Sequence, residues 1–262
     1  MLRARIIPCL LVHKNGLVKT VNFSSAKYVG DPINAVRIFN EKEADELMVL
    51  NIDATVKNQE PDYSLIERLA TECRMPFSYG GGVKTVEQAV KIIKLGVEKV
   101  SLSSAIIENP NLISDIAKQL GSQSVVAILD VKRNKKGVYE VWTHNGQKNT
   151  GKTATELAKL FEDKGAGEIV INSIDQDGIM KGYDLELVRT IRKAFSLPLT
   201  VLGGAGKLDD IKNLIREFKV IGAAAGSLFV FKGVYRAVLI NYPAPSEKTT
   251  LIRDAIQANS VS

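Results

Sequence analysis

Two glycine clusters recur in this chain, each followed by serine at the same spacing. Gly80-Gly81-Gly82 precedes Ser103-Ser104 and Gly203-Gly204 precedes Gly226-Ser227, with 23 residues from Gly80 to Ser103 and from Gly203 to Gly226. Glycine lets backbone N–H groups approach a ligand and form an anion-binding nest. Serines at the start of a following helix add hydroxyl and amide donors and the positive end of its dipole. Each set therefore predicts one phosphate site: Gly81, Gly82, Ser103 and Ser104 in the first, and Gly203, Gly204, Gly226 and Ser227 in the second. Asp177-Gly178 is placed with the second site. Two sites facing one mouth predict an elongated, doubly phosphorylated ligand. The same glycines would also serve tight turns between packed elements.

Carboxylates at strand ends are the next candidates. Asp130 ends an apolar run and is expected to act as a general acid or base. Asp53, Asp175 and Asp177 also follow strand-like runs, where loop capping is an equal expectation. Arg5, Glu46, Lys99 and Glu168 stand at the opposite ends, at or near strand starts. Two cations and two anions at one level predict either a closed ring of ion pairs or a solvated rim. Neither His13 nor His144 has metal-ligand spacing to other ligands, so no metal site is expected. No Walker motif or dinucleotide fingerprint is present, and no cofactor is expected.

The elements that must carry these groups alternate. Strands are expected at 5–12, 46–53, 76–79, 98–103, 124–130, 168–174, 198–202 and 220–225. Helices are expected near 32–44, 62–74, 85–95, 110–120, 153–164, 184–195, 207–217 and 233–240. Eight apolar strands alternating with helices predict an α/β fold, a single (β/α)8 TIM barrel, with the functional face formed by the loops after the strands. A hairpin is expected at 132–150. The segment 44–53 (ADELMVLNID) aligns with 166–175 (AGEIVINSID) at an offset of 122. Two duplicated half-barrels are therefore expected, about 1–122 and 123–242, followed by a tail over 243–262. In that alignment the mate of Asp130 is Leu11, which cannot move a proton.

Composition sets the frame. The chain has 262 residues, 45% hydrophobic and 24% charged, with a net charge of +6. A chain of this length buries a large core without staples. Cys9 and Cys73 do not form a disulfide framework. No apolar run approaches a membrane span and no signal-peptide pattern opens the chain, so a cytoplasmic protein without membrane contact is expected. Basic residues are scattered and lack interleaved aromatics, which argues against nucleic acid.

The ordered motifs RIIPCL, DEL at 45–47, GGGV at 80–83, EKVSLSSAIIENP, GSQSVV, KNTG at 148–151, SID.DG at 173–178 and GGAGK at 203–207 carry a resemblance. The chain resembles the HisF family, the cyclase subunit of imidazole glycerol phosphate synthase, over about residues 1–232. The resemblance implies a two-fold barrel with two phosphate sites. It also implies a HisH-like glutaminase at the barrel bottom and an ammonia path through the barrel, gated by Arg5, Glu46, Lys99 and Glu168. Lys19 matches a lysine of the family's mobile first loop. The family's cyclisation uses two aspartates. One matches Asp130, and Leu11 stands in place of the other.

Asn51 stands where the family usually has Asp, Ser103 where it has Asn, and the stretch GVYRAVLINYP departs from the usual ending. This combination resembles the HisF-like branch found with surface-polysaccharide genes, in which ammonia passes to an N-acetyl sugar amidotransferase. The expected function is accordingly an ammonia-conducting subunit of such a complex. A working cyclase–lyase and a glutaminase-activating scaffold are the alternatives.

Overall fold

A computed structural model describes residues 3–257. Residues 1–2 and the end of the expected tail, 258–262, lie outside the described residues. Eight parallel strands close a barrel: β1 (Arg5–His13), β2 (Leu47–Asn51), β3 (Phe77–Gly80), β4 (Lys99–Leu102), β5 (Val125–Arg133), β6 (Glu168–Ser173), β7 (Leu199–Leu202) and β8 (Gly222–Ala225). Each pairs with its neighbours in order, and β8 returns to β1 with Arg5 opposite Gly222. The fold is a (β/α)8 TIM barrel.

Helices cover the outside: α1 (Pro32–Glu41), α2 (Tyr63–Glu72), α3 (Val86–Lys94), α4 (Asn111–Leu120), α5 (Ala154–Asp163), α6 (Leu185–Arg192), α7 (Leu208–Phe218) and α8 (Pro245–Gln257). Local chemistry starts them. Asp62 and Asp184 accept the amides of Leu65 and Leu187, which caps α2 and α6 at matched places in the two halves. Strand alternation sends one set of side chains outward, among them Leu47, Val49, Ile169 and Ile171, into the main core beneath the helices. The other set points inward. Ile7, Cys9, Met48, Val126, Ile128, Val170, Leu202 and Ala224 pack together inside the barrel, with Leu11 and Leu50 against them.

Three expectations need correction. First, 233–240 is not a helix. Phe231 pairs with Val238 and Lys232 with Ala237 in a short hairpin, and Gly233 and Arg236 take positive φ, which a helix cannot contain. The closing helix is α8, which buries Leu251 and Ala255. Tyr242 anchors the approach to it by donating to the Ile6 carbonyl at 2.9 Å and accepting the Asp45 amide at 3.2 Å. Second, the hairpin at 132–150 is longer: β5 continues into strands Tyr139–Thr143 and Lys148–Thr153. Third, 132–150 is not the only hairpin: the first half has its own, Gly16–Val21 with Ser24–Gly30. Its turn, Asn22-Phe23, holds both residues at positive φ between Val21 and Ser24, and a second such turn, Lys14-Asn15, joins β1 to Gly16 opposite His13.

Candidate functional site

At the foot of the barrel the four charges expected there meet directly. Arg5 opens β1, Glu46 directly precedes β2, Lys99 opens β4 and Glu168 opens β6. Arg5 bonds Glu46 through Nη1 and Glu168 Oε1 through Nη2 at 2.7 Å. Lys99 Nζ reaches Glu46 Oε1 at 2.7 Å and Glu168 Oε2 at 3.0 Å. Each anion thus touches both cations, and the four form a closed alternating ring. The Thr200 hydroxyl donates to Glu168 Oε1 at 2.6 Å. Burial pushes the Glu168 carboxyl upward, but Arg5 and Lys99 outweigh it and hold the group well below the usual carboxylate range. Above the ring lie the inward apolar side chains of β1, β2, β5 and β6.

At the other end a cavity of about 450 Å³ opens between the strand–helix loops. Of the mouth residues expected from the sequence, Gly81, Gly82, Ser103, Ser104, Asp130, Asp177, Gly178, Gly203, Gly204, Gly226, Ser227, Lys19 and the Leu11 position line it, while Asp53 and Asp175 do not. Short helices begin at Ser104 and Ser227 and present their N-termini there. The glycines also have a steric cause. Gly82 and Gly204 sit at φ +79 and +110, and a Cβ would lie 2.7 Å from the Gln59 carbonyl oxygen at one and 2.0 Å from that of Gly182 at the other. Tight packing and close approach to the cavity coincide at the same residues.

The two halves differ in chemistry where their registers match. Asp130 pairs with Asn172 across β5 and β6, and Asn172 Nδ2 donates to Asp130 Oδ1 at 2.9 Å. Leu11 pairs with Leu50 across β1 and β2. One wall of the mouth is therefore polar and the other apolar. Burial, with Asp177 nearby, pushes the Asp130 carboxyl up to about 6, and Asn172 and Ser103 draw it back only partly.

Lys19 lies on the inner strand of the first hairpin and is buried, so it is not on an open loop. Its Nζ donates to the Cys9 carbonyl, and burial lowers its pKa against the pull of Cys9 and Asp177. Asp177 points at the chain's own hairpin. Its carboxylate accepts the Thr20 hydroxyl at 2.6 Å and the Phe23 amide at 3.0 Å, and its carbonyl accepts the Asn22 amide at 3.0 Å. Gly178, at φ +70, would place a Cβ 2.2 Å from the Thr20 carbonyl oxygen. Asp177-Gly178 is thus a latch that holds the first hairpin across the mouth.

Asp53 and Asp175 do not line the cavity; both brace loops. Asp53 Oδ2 accepts the Lys14 amide at 3.0 Å, and Asp175 Oδ2 accepts the Arg133 amide at 2.8 Å, matched contacts in the two halves. His13 Nδ1 lies 2.6 Å from Asp53 Oδ1. Burial raises the Asp53 carboxyl, but Lys14, Lys57 and His13 outweigh it and lower it overall.

Sequence reasoning weighed His144 only as a metal ligand and passed over Asn145. They form the turn of the second hairpin, both at φ +55, and both line the mouth. Asn145 Nδ2 donates to the Ile52 carbonyl at 2.8 Å, so each hairpin crosses to the opposite half. The Asn145-Gly146 turn after the alternating run Tyr139–Thr143 was the available signal. Among the described residues, no cluster of three or more His, Cys, Asp or Glu could hold a metal ion. No helix among them is long and apolar enough to cross a membrane.

Comparison with known proteins gives this arrangement a family. The model of the family described as "Histidine biosynthesis protein" matches residues 5–236. The protein named "Putative imidazole glycerol phosphate synthase subunit hisF3" from Vibrio vulnificus is 60% identical over 249 residues, 95% of this chain and 96% of that protein. The HisF subunit of the same description from Leptospira borgpetersenii is 59% identical, covering 96% of this chain and 99% of its own. The corresponding hisF2 of Pseudomonas aeruginosa is 52% identical over 93% of this chain and 97% of its own. Closed barrel, matched glycine loops and near full-length similarity agree: the chain belongs to the HisF family of histidine biosynthesis proteins.

Proposed function

We propose that this chain is the synthase subunit of a glutamine-dependent complex. A HisH-like glutaminase docks at the barrel foot, and ammonia enters past Arg5, Glu46, Lys99 and Glu168. Neutral ammonia suits the apolar interior, where an ammonium ion would carry a large desolvation cost. The mouth holds a phosphorylated ligand between the nests at Gly82/Ser104 and Gly204/Ser227. The nitrogen leaves the mouth for a separate enzyme, an N-acetyl sugar amidotransferase of surface-polysaccharide synthesis.

The observation that carries this reading is the Leu11–Leu50 pair, which stands in register where the other half has Asp130–Asn172. An acid–base pair across the mouth needs a titratable group on each wall, and loss of one member costs on the order of 10²–10⁴-fold in rate. The second reading is a working cyclase–lyase that makes imidazole glycerol phosphate, in line with the names of the relatives. Asp130, held near neutrality, favours it.

Turnover of the phosphoribulosyl substrate of imidazole glycerol phosphate synthase, supplied with ammonium salts, separates the two. Absent turnover in the wild type, with some gained by Leu11→Asp, supports the first reading. Normal wild-type turnover refutes it and supports the second.

A further inference from the structure

Nine large apolar side chains are strongly exposed among the described residues, and five of them sit on two touching hairpins. Val234 and Tyr235, at the tip of the 231–238 hairpin, are 95% and 96% exposed. Val238 and Leu239 follow on the same segment, and Tyr28 lies on the outer strand of the first hairpin. The hairpins are joined: Lys27 Nζ donates to the Arg236 carbonyl at 3.4 Å and lies 5.0 Å from the centre of the Phe231 ring.

Position and charge say what such a surface fits. The 231–238 hairpin directly continues the short helix Ser227–Val230, whose first residue lines the mouth cavity. The first hairpin is latched over the same mouth by Asp177. The patch therefore stands on the rim through which anything leaves the barrel. Segments 16–30 and 227–244 contain no Asp or Glu, while Lys27, Lys232 and Arg236 lie among the apolar groups. A second copy of this chain docked on the patch would set six cations against one another with no carboxylate between them, which disfavours self-association. An exposed apolar patch with a basic rim suits a protein surface whose apolar recess is edged by carboxylates.

We propose that these two hairpins form the docking surface for an acidic protein partner, the enzyme that consumes ammonia delivered at the mouth. The inference rests on the reading that nitrogen leaves the barrel for a separate enzyme. Tyr235 and Val234 are its apolar anchors, and Lys27, Lys232 and Arg236 orient the approach.

The test uses the full barrel–glutaminase complex carrying a photoreactive p-benzoylphenylalanine at position 235, with position 220 on another exposed valine as the control. The expected adduct at 235 is an enzyme that incorporates nitrogen from ammonium salts when purified. With [amide-15N]glutamine as the source, Val234→Asp and Tyr235→Asp should each lower label transfer to that enzyme's product at least tenfold. Glutamine hydrolysis and the partner's use of ammonium salts should not change. Unchanged label transfer in both variants overturns the docking surface. So does a predominant adduct with a second copy of the chain, or binding to phosphatidylserine vesicles that Tyr235→Asp abolishes. Failure of the underlying reading looks different: the barrel itself then incorporates the label into imidazole glycerol phosphate with no third enzyme present.

Discussion

Glu168→Gln is the sharpest test of the charged ring. Glu168 accepts from Arg5 at 2.7 Å, Lys99 at 3.0 Å and Thr200 at 2.6 Å. At an effective dielectric of about 20 and with charge centres about 4 Å apart, each ion pair contributes about 4 kcal/mol of Coulomb attraction, so the substitution removes about 8 kcal/mol. Two effects offset this: repulsion from Glu46 disappears, and the neutral amide no longer carries a buried charge. Breaking one partner of a buried pair costs roughly 3–5 kcal/mol in practice. Arg5 and Lys99 both keep Glu46, and their side chains are 23% and 20% exposed, so the lower end applies, about 3 kcal/mol. The sign with pH follows from the depressed carboxyl of Glu168. Its contribution is complete above the unfolded value of about 4.3 and is lost as pH falls toward the folded value. Urea unfolding of both proteins at pH 7.5 and 3.5 measures the effect: a gap of about 3 kcal/mol at the higher pH, narrowing at the lower. A gap under about 1 kcal/mol at pH 7.5, within the range of an exposed ion pair, refutes the reasoning. So does a gap of equal size at both pH values.

Other outcomes follow from single contacts. Burial raises Asp130, so its charged form opposes folding as pH rises from about 3.9 through about 6. Asp130→Asn should therefore stabilise the chain by about 3 kcal/mol at pH 8 and by nearly nothing at pH 3.5, read from urea midpoints. A Cβ at Gly226 would lie 2.3 Å from Lys19 Nζ, so Gly226→Ala should expel the ammonium from the Cys9 carbonyl and leave the barrel intact. Faster amide exchange confined to residues 16–30 would show it. Asp177→Ala removes the latch on Thr20 and Phe23, and trypsin should then cut after Lys27 at least tenfold faster. Tyr242→Phe leaves the Asp45 amide without its acceptor and should cost about 1–2 kcal/mol, seen as a lower thermal midpoint.

Much of the site was legible because it depends on local backbone chemistry. Glycines that need positive φ, serines at helix starts and charges at strand starts are fixed by position in the repeat. Parallel strands closed in sequence order then bring them to the two ends of one barrel. The hairpin tips were not legible. Whether Gly233 to Arg236 turns or coils depends on two positive φ values, and Lys27 of the distant first hairpin packs beside them. Asp177 was expected near phosphate or as a loop cap, and spacing could not name its partners Thr20 and Phe23, which lie more than 150 residues away in the chain.

The sequence by itself determined the eight alternating units, the matched glycine–serine loops, the four charges at strand starts and the leucine in place of a carboxylate. These follow from residue type and spacing, which set local geometry and the side of the strand a residue occupies. Only the tertiary structure decided that the four charges close into a ring instead of a solvated rim. It alone decided that Asp177 latches a hairpin and that Lys19 is buried. Those outcomes depend on distances between residues remote in the chain. Barrel closure and the hairpin crossings set such distances, and no local preference encodes them.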